Sequence, residues 1–140
     1  MASYRLIDEM PGTRQRKAPF SPLGLYFLTW LALPVAVPFW IINWGRLGHP
    51  EKRLIAALAG VAAFGLPILL YTMPSVSPST YRFCKTLAMF AFSYFQLYGQ
   101  RPLYELQLAR GGKKAPAWPL WLAAGLTIVW VIGTVALRKS

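Results

Sequence analysis

The chain has 140 residues, 56% of them hydrophobic, and carries 15 Lys and Arg against 4 Asp and Glu, a formal charge of +11. That apolar share, with a mean hydropathy of +0.40, argues against an ordinary water-soluble domain, and a single cysteine, Cys84, excludes an internal disulfide. In a soluble protein such a basic excess would suggest nucleic acid; here the basic residues lie between and beside apolar runs, where they suit anionic lipid headgroups.

Residues 1–22 read as a basic, mostly irregular tail with Arg5, Arg14, Arg16 and Lys17 among Pro11, Pro19 and Pro22. The prolines and the polar content oppose a packed domain. Asp8 and Glu9, with no apolar stretch ahead of the first long run, fit neither a secretory signal peptide nor an organelle transit peptide. Arg14, Arg16 and Lys17 are expected to contact headgroups or a partner, with Phe20 dipping inward.

Residues 23–44 read as a first membrane span containing Pro34 and Pro38. Each proline lacks an N–H and frees a carbonyl one turn earlier, at Trp30 and Pro34. A fixed kink is the plain reading and a hinge or gate the sharper one. Trp40 and Trp44 suit an aromatic belt at an interface. The turn over 45–53 puts Arg46, Lys52 and Arg53 at headgroups, and its His49 reads as a solvated side chain rather than a metal ligand.

Residues 54–73 form a run of 20 without a charge, and the class of the protein rests on it. A helix of that length covers the roughly 30 Å hydrocarbon core of a bilayer at about 1.5 Å per residue, and its apolar character all round leaves no face for water. Ala56 and Gly60, and likewise Ala59 and Ala63, stand four apart, a spacing of small residues that admits a second helix closely. Pro67 bends its end, and the segment 74–79 reads as a linker that breaks helices twice.

A third span is expected over 82–98. Its charge-free part, 86–98, covers only about 20 Å, so Arg82 and Lys85 must snorkel if it crosses; the alternative is a helix lying in the interface. Residues 99–110 then read as amphipathic, with Pro102 kinking the helix and Gly111 and Gly112 ending it. Arg110, Lys113 and Lys114 form a basic rim ahead of the last span, 118–137. That span carries Trp118 and Trp121 at one end, Arg138 and Lys139 at the other, and the close-approach positions Ala124, Gly125 and Gly133. Residues 138–140 are a short basic tail. The basic residues divide almost evenly between the two sides, and the short basic turns lean weakly towards placing loops one and three in the cytoplasm.

No Asp, Glu, His, Lys or Arg falls within the four charge-free runs, whereas proton relays and most ion-coupled transporters need an ionisable group at membrane depth. Gln96 is the largest polar group expected to be buried, with an interhelical hydrogen bond as its role. Glu51 and Glu105 read as neutralising local arginines. The GGKK at 111–114 lacks the spacing of a phosphate loop, and no catalytic or metal motif is present. These readings predict no catalytic residue, no metal ligand, no cofactor of its own and no enzyme activity.

Two stretches, Asn43-Trp44-Gly45-Arg46-Leu47-Gly48 and Arg110-Gly111-Gly112-Lys113-Lys114, resemble those of small four-span bacterial integral membrane proteins without an assigned function. The chain departs from that pattern in its longer N-terminal tail and in Ala115 and Pro116 after the basic pair. The resemblance implies four helices and the bacterial cytoplasmic membrane, and no activity. The expectation is therefore an all-α bundle of four transmembrane helices over 23–137, with both termini on one side. Its expected role is that of a non-catalytic accessory or assembly subunit of a larger integral-membrane complex, such as a respiratory or photosynthetic one. Larger membrane proteins and anionic lipids are its partners, with pigments at most those held by partner subunits. The alternatives are a small oligomeric transporter or channel, and an enzyme working at the headgroups.

Overall fold

The structure, a computed structural model, describes residues 17–139; Arg14 and Arg16 lie outside them. The described chain is all-α, with helices α1 (Pro22–Leu31), α2 (Leu33–Arg46), α3 (Lys52–Tyr71), α4 (Pro78–Ala109) and α5 (Trp118–Lys139).

The expected first span over 23–44 is corrected. Were residues 20–43 one helix, its ends would stand about 35 Å apart. Instead the Phe20 amide lies 2.7 Å from Asn43 Oδ1, and the Phe20 and Phe39 rings meet edge to face at 5.4 Å. The segment doubles back at Ala32, whose φ of −156° and ψ of 93° are extended. Pro34 explains the position of the break. Inside a continuous helix its ring would collide with the Trp30 carbonyl; one residue past Leu33 it sits in the first turn of α2, where no N–H is needed. The backbone at the tip stays satisfied, because the Ala32 amide bonds to Leu28 O and the Ala32 carbonyl accepts from Val35 and Ala36. Thus α1 and α2 form an antiparallel helical hairpin with an open mouth at Phe20 and Asn43.

From that mouth the chain turns into α3, with Gly48 at φ 91° closing the end of α2 and the His49 amide bonding to Trp44 O. At the far end of α3, Tyr71 packs against Tyr81 of α4. The expected linker ends earlier than predicted. Ser77 caps α4 by accepting from the Thr80 amide, and Pro78 fills the first helical position. The helix then runs 32 residues, about 48 Å, through Pro102, and returns past the hairpin mouth. The amphipathic stretch 99–110 is thus the last part of one long helix. Gly111, at φ 81°, lets the Gly112 amide reach Gln107 O and stop it.

Helix α2 packs on α3, α3 on α4, and α1 on both α2 and α4, while α5 rests chiefly on α1. The core gathers Leu25, Leu28, Leu33, Ala36, Trp40 and Phe92 around the hairpin. Trp40 is fully buried and Trp44 is 6% exposed, so the expected interface belt is corrected: both rings are core. Among the described residues two helical segments, Lys52–Tyr71 and Trp118–Arg138, are long and apolar enough to cross a bilayer. The hairpin helices, of 10 and 14 residues, are too short. Helix α4 has the length but is more polar, with Arg82, Lys85, Arg101 and Glu105 along it.

The small residues of α3 do admit a helix. Ala56, Gly60 and Ala63 are buried and Ala59 is partly so. A Cβ at Gly60 would stand 2.6 Å from Val37 Cγ1 of α2. Val37 is β-branched and has little freedom to yield. Gly60→Leu is expected to cost about 1–3 kcal/mol by overpacking, read as a lowered unfolding temperature in detergent; unchanged stability would refute the close approach. No neighbouring atom, by contrast, lies within 4 Å of a Cβ built at Gly125 or Gly133, so the chain does not pack its own described helices there.

Candidate functional site

The hairpin mouth is closed by side-chain amides. Asn43 takes the Phe20 amide on Oδ1 at 2.7 Å and donates through Nδ2 to Phe20 O at 3.1 Å and to Gln100 Oε1 at 2.8 Å. This pairing copies the backbone exchange of two β residues and ties the strand-like segment ahead of α1 to α2. Gln100 in turn donates to Trp40 O at 3.1 Å. One turn away, Trp44 Nε1 donates to Gln96 Oε1 at 2.7 Å, so Gln96 makes the interhelical bond expected of it. Deeper in the hairpin, Trp40 Nε1 donates to Thr29 Oγ1, which donates to Leu25 O, both at 2.8 Å. Among the described residues no buried side-chain nitrogen or oxygen lacks a partner. Every member of this network is uncharged, so it positions helices and supplies no acid or base.

Arg46 seals the outside of the mouth. Its guanidinium donates to Ala18 O at 2.9 Å and lies 4.3 Å from the centre of the Phe20 ring. Burial pulls its pKa below the ordinary value, and it remains a cation at any physiological pH. Lys52 sits 4.8 Å over the Trp44 ring, and the Arg53 guanidinium lies against Gly45. The expected headgroup cations therefore divide. Arg46 and Lys52 are half-buried against the turn between α2 and α3, whereas Arg53, Lys17, Arg110, Lys113 and Lys114 are exposed. His49 pairs with Glu51 at 2.8 Å. The Glu51 carboxyl is held below its ordinary pKa first by its own backbone amide and then by His49. Glu105 pairs with Arg101 one turn away, also at 2.8 Å. Among the described residues no three His, Cys, Asp or Glu side chains gather where they could hold a metal ion.

A cleft of about 680 Å³ opens between α1 and the first turns of α5. The Ala115 amide bonds to Pro19 O at 2.9 Å and anchors the two chain segments at its outer end. Both helices start there and run inward side by side. Gly24, Phe27, Leu28 and Leu31 line one wall and Leu120, Trp121 and Ala124 the other. Polar groups collect only at the outer end, where Ser21, Tyr104 and Lys114 line it. Tyr104 hydrogen-bonds Ser21 there. A second hollow, of about 400 Å³, lies between Arg46, His49 and Arg110 at the end of α4.

No protein-family model matches the chain, and no curated protein or solved structure matches it either.

Sequence reasoning singled out Gln96 and the α3 small residues, and it noted Phe20 turning inward. It missed Gln100 and Thr29 as members of a network, and it missed the cleft. The signal for Gln100 was an amide one turn beyond Gln96 on the same face of a helix. Nothing local announces the cleft, because it needs α1 to double back.

Proposed function

We propose that the protein is an integral membrane protein in which α3, α4 and α5 cross the bilayer and the α1–α2 hairpin enters it from one side. Its role is that of a non-catalytic accessory or assembly subunit of a larger membrane complex, of the respiratory or photosynthetic kind. Its membrane is the bacterial cytoplasmic one, as the resemblance noted above implies. The observation that carries this reading is the apolar surface of α3 and α5 turned away from the chain's own core. Leu58, Val61 and Leu69 of α3, and Trp121, Val129 and Trp130 of α5, are each more than half exposed. Soluble monomers rarely expose contiguous apolar patches beyond a few hundred Å². An uncharged, fully bonded interior suits a body that packs against others and offers no route for an ion.

The hairpin changes the expected membrane topology. Helix α1 starts at the end where α2 stops, and α5 runs inward alongside α1. Three crossings therefore put the two termini on opposite faces. Tags ahead of Lys17 and after Ser140, probed with protease in sealed vesicles, are expected to be cut from opposite sides. Cleavage of both from the same side would overturn the three-crossing arrangement.

The accessory role is tested by gentle solubilisation and mass spectrometry of the native assembly. The chain is expected to appear in fixed ratio with larger membrane proteins. A symmetric homo-oligomer without other subunits would instead point to a small transporter or channel.

A further inference from the structure

We propose that the cleft between α1 and α5 binds an anionic glycerophospholipid, one acyl chain lying between the helices and the phosphate at Lys114. The inference rests on the membrane reading above and gives one of its lipid partners a defined site. Three observations carry it.

The first is the separation of polar and apolar lining. From Gly24 to Leu31 the α1 wall runs about 10 Å without a polar side chain, and Trp121 and Ala124 face it from α5. At the outer end stand the two hydroxyls of Ser21 and Tyr104 and the Lys114 ammonium. That is the order of groups along a lipid, headgroup to chain. The second is size. About 680 Å³ falls in the range of pockets that bury a small molecule, so a single acyl chain and its ester region fit. The third is charge. No acidic residue lines the cleft, and Lys114 is exposed and paired with no carboxylate among the described residues. A zwitterionic headgroup would leave that positive edge uncompensated.

The direction of the cleft agrees with the membrane. Its polar end lies at the hairpin mouth, where Phe20 lines it and the Arg46 guanidinium stands 4.3 Å from the Phe20 ring, the level at which basic side chains meet headgroups. Its apolar end lies near the hairpin tip at Leu31. A lipid entering sideways would need no rotation and no desolvation of its phosphate.

The test uses the full chain in nanodiscs of equal parts phosphatidylcholine and phosphatidylglycerol, followed by release into the mass spectrometer. The wild-type chain is expected to retain a single lipid and to favour phosphatidylglycerol by about fivefold, the equilibrium factor for about 1 kcal/mol per lysine at an anionic surface. Lys114→Gln, an exposed substitution that leaves the core alone, is expected to bring the two lipids to parity. Ala124→Trp, which fills the apolar end, is expected to remove the retained lipid of either kind. Circular dichroism of both variants establishes that they fold. A wild-type chain released bare, or one whose preference survives Lys114→Gln, would overturn the proposal. Those failures leave the chain in the nanodisc; a chain that never inserts, and that alkaline carbonate strips from native membranes, would overturn the membrane reading itself.

Discussion

Replacing Asn43 by leucine is expected to produce the largest loss of stability of any polar substitution in the protein. The side chain is fully buried and makes three hydrogen bonds, two to the backbone of Phe20 and one to Gln100. Leucine matches its size but leaves the Phe20 N–H, the Phe20 carbonyl and Gln100 Oε1 without partners. Each orphaned group costs about 1–3 kcal/mol, and partial relaxation brings the total to roughly 3–5 kcal/mol. Against a typical total of about 5–15 kcal/mol that is enough to open the hairpin mouth. Thermal unfolding in detergent measures it, and proteolysis near Phe20 reports the opening. A double variant, Asn43→Leu with Gln100→Leu, is expected to cost less than the sum of the singles, because the Asn43–Gln100 bond is then lost from both sides at once. Additive costs would mean that the two amides do not act together.

Trp40→Ala is expected to rank beside it, for a different reason. Trp40 fills the space between α1, α2 and the core and has no exposed surface. Truncating a large buried ring costs about 3–5 kcal/mol, mostly through the cavity left behind. Trp40→Phe keeps most of the volume and removes the bond to Thr29, which still donates to Leu25 O. That variant is expected to lose only about 1–2 kcal/mol. Equal losses for alanine and phenylalanine, in unfolding temperature under the same detergent, would show that the indole N–H and not the ring holds the hairpin.

The helices of this protein were legible and their directions were not. The charge-free runs around Gly60 and Leu126 announce α3 and α5 within a few residues, because an apolar stretch of that length has few other uses. The prolines of the first run were visible too. What they could not tell is whether Pro34 bends a helix or begins one. That choice is decided by Asn43 meeting Phe20 and by Trp40 meeting Thr29, contacts across a fold-back that no periodicity encodes. The same gap explains the mistaken placing of Trp40 and Trp44. In a single crossing they would stand at an interface, whereas in a hairpin their face turns onto α1 and α4. For α4, Arg82, Lys85 and Gly99 suggested ends, yet the helix carries on through all three. Gly99 is there to let Trp44 come within about 3 Å of where a Cβ would be. The cleft was illegible for the reason the hairpin was, since its two walls are neighbours only once α1 lies beside α5.

The amide clasp at the hairpin mouth also sets an order of events during synthesis. Asn43 follows Phe20 by 23 residues, so two of its three hydrogen bonds become available as soon as α2 has emerged. The third partner, Gln100, lies 57 residues further on, about 3–11 s later at the usual pace of roughly 5–20 residues per second. Through that interval one amide proton of Asn43 is without its partner. The arrival of α4 closes the last bond, so the same contact that joins the helices marks the chain as made through α4, with α5 still to come.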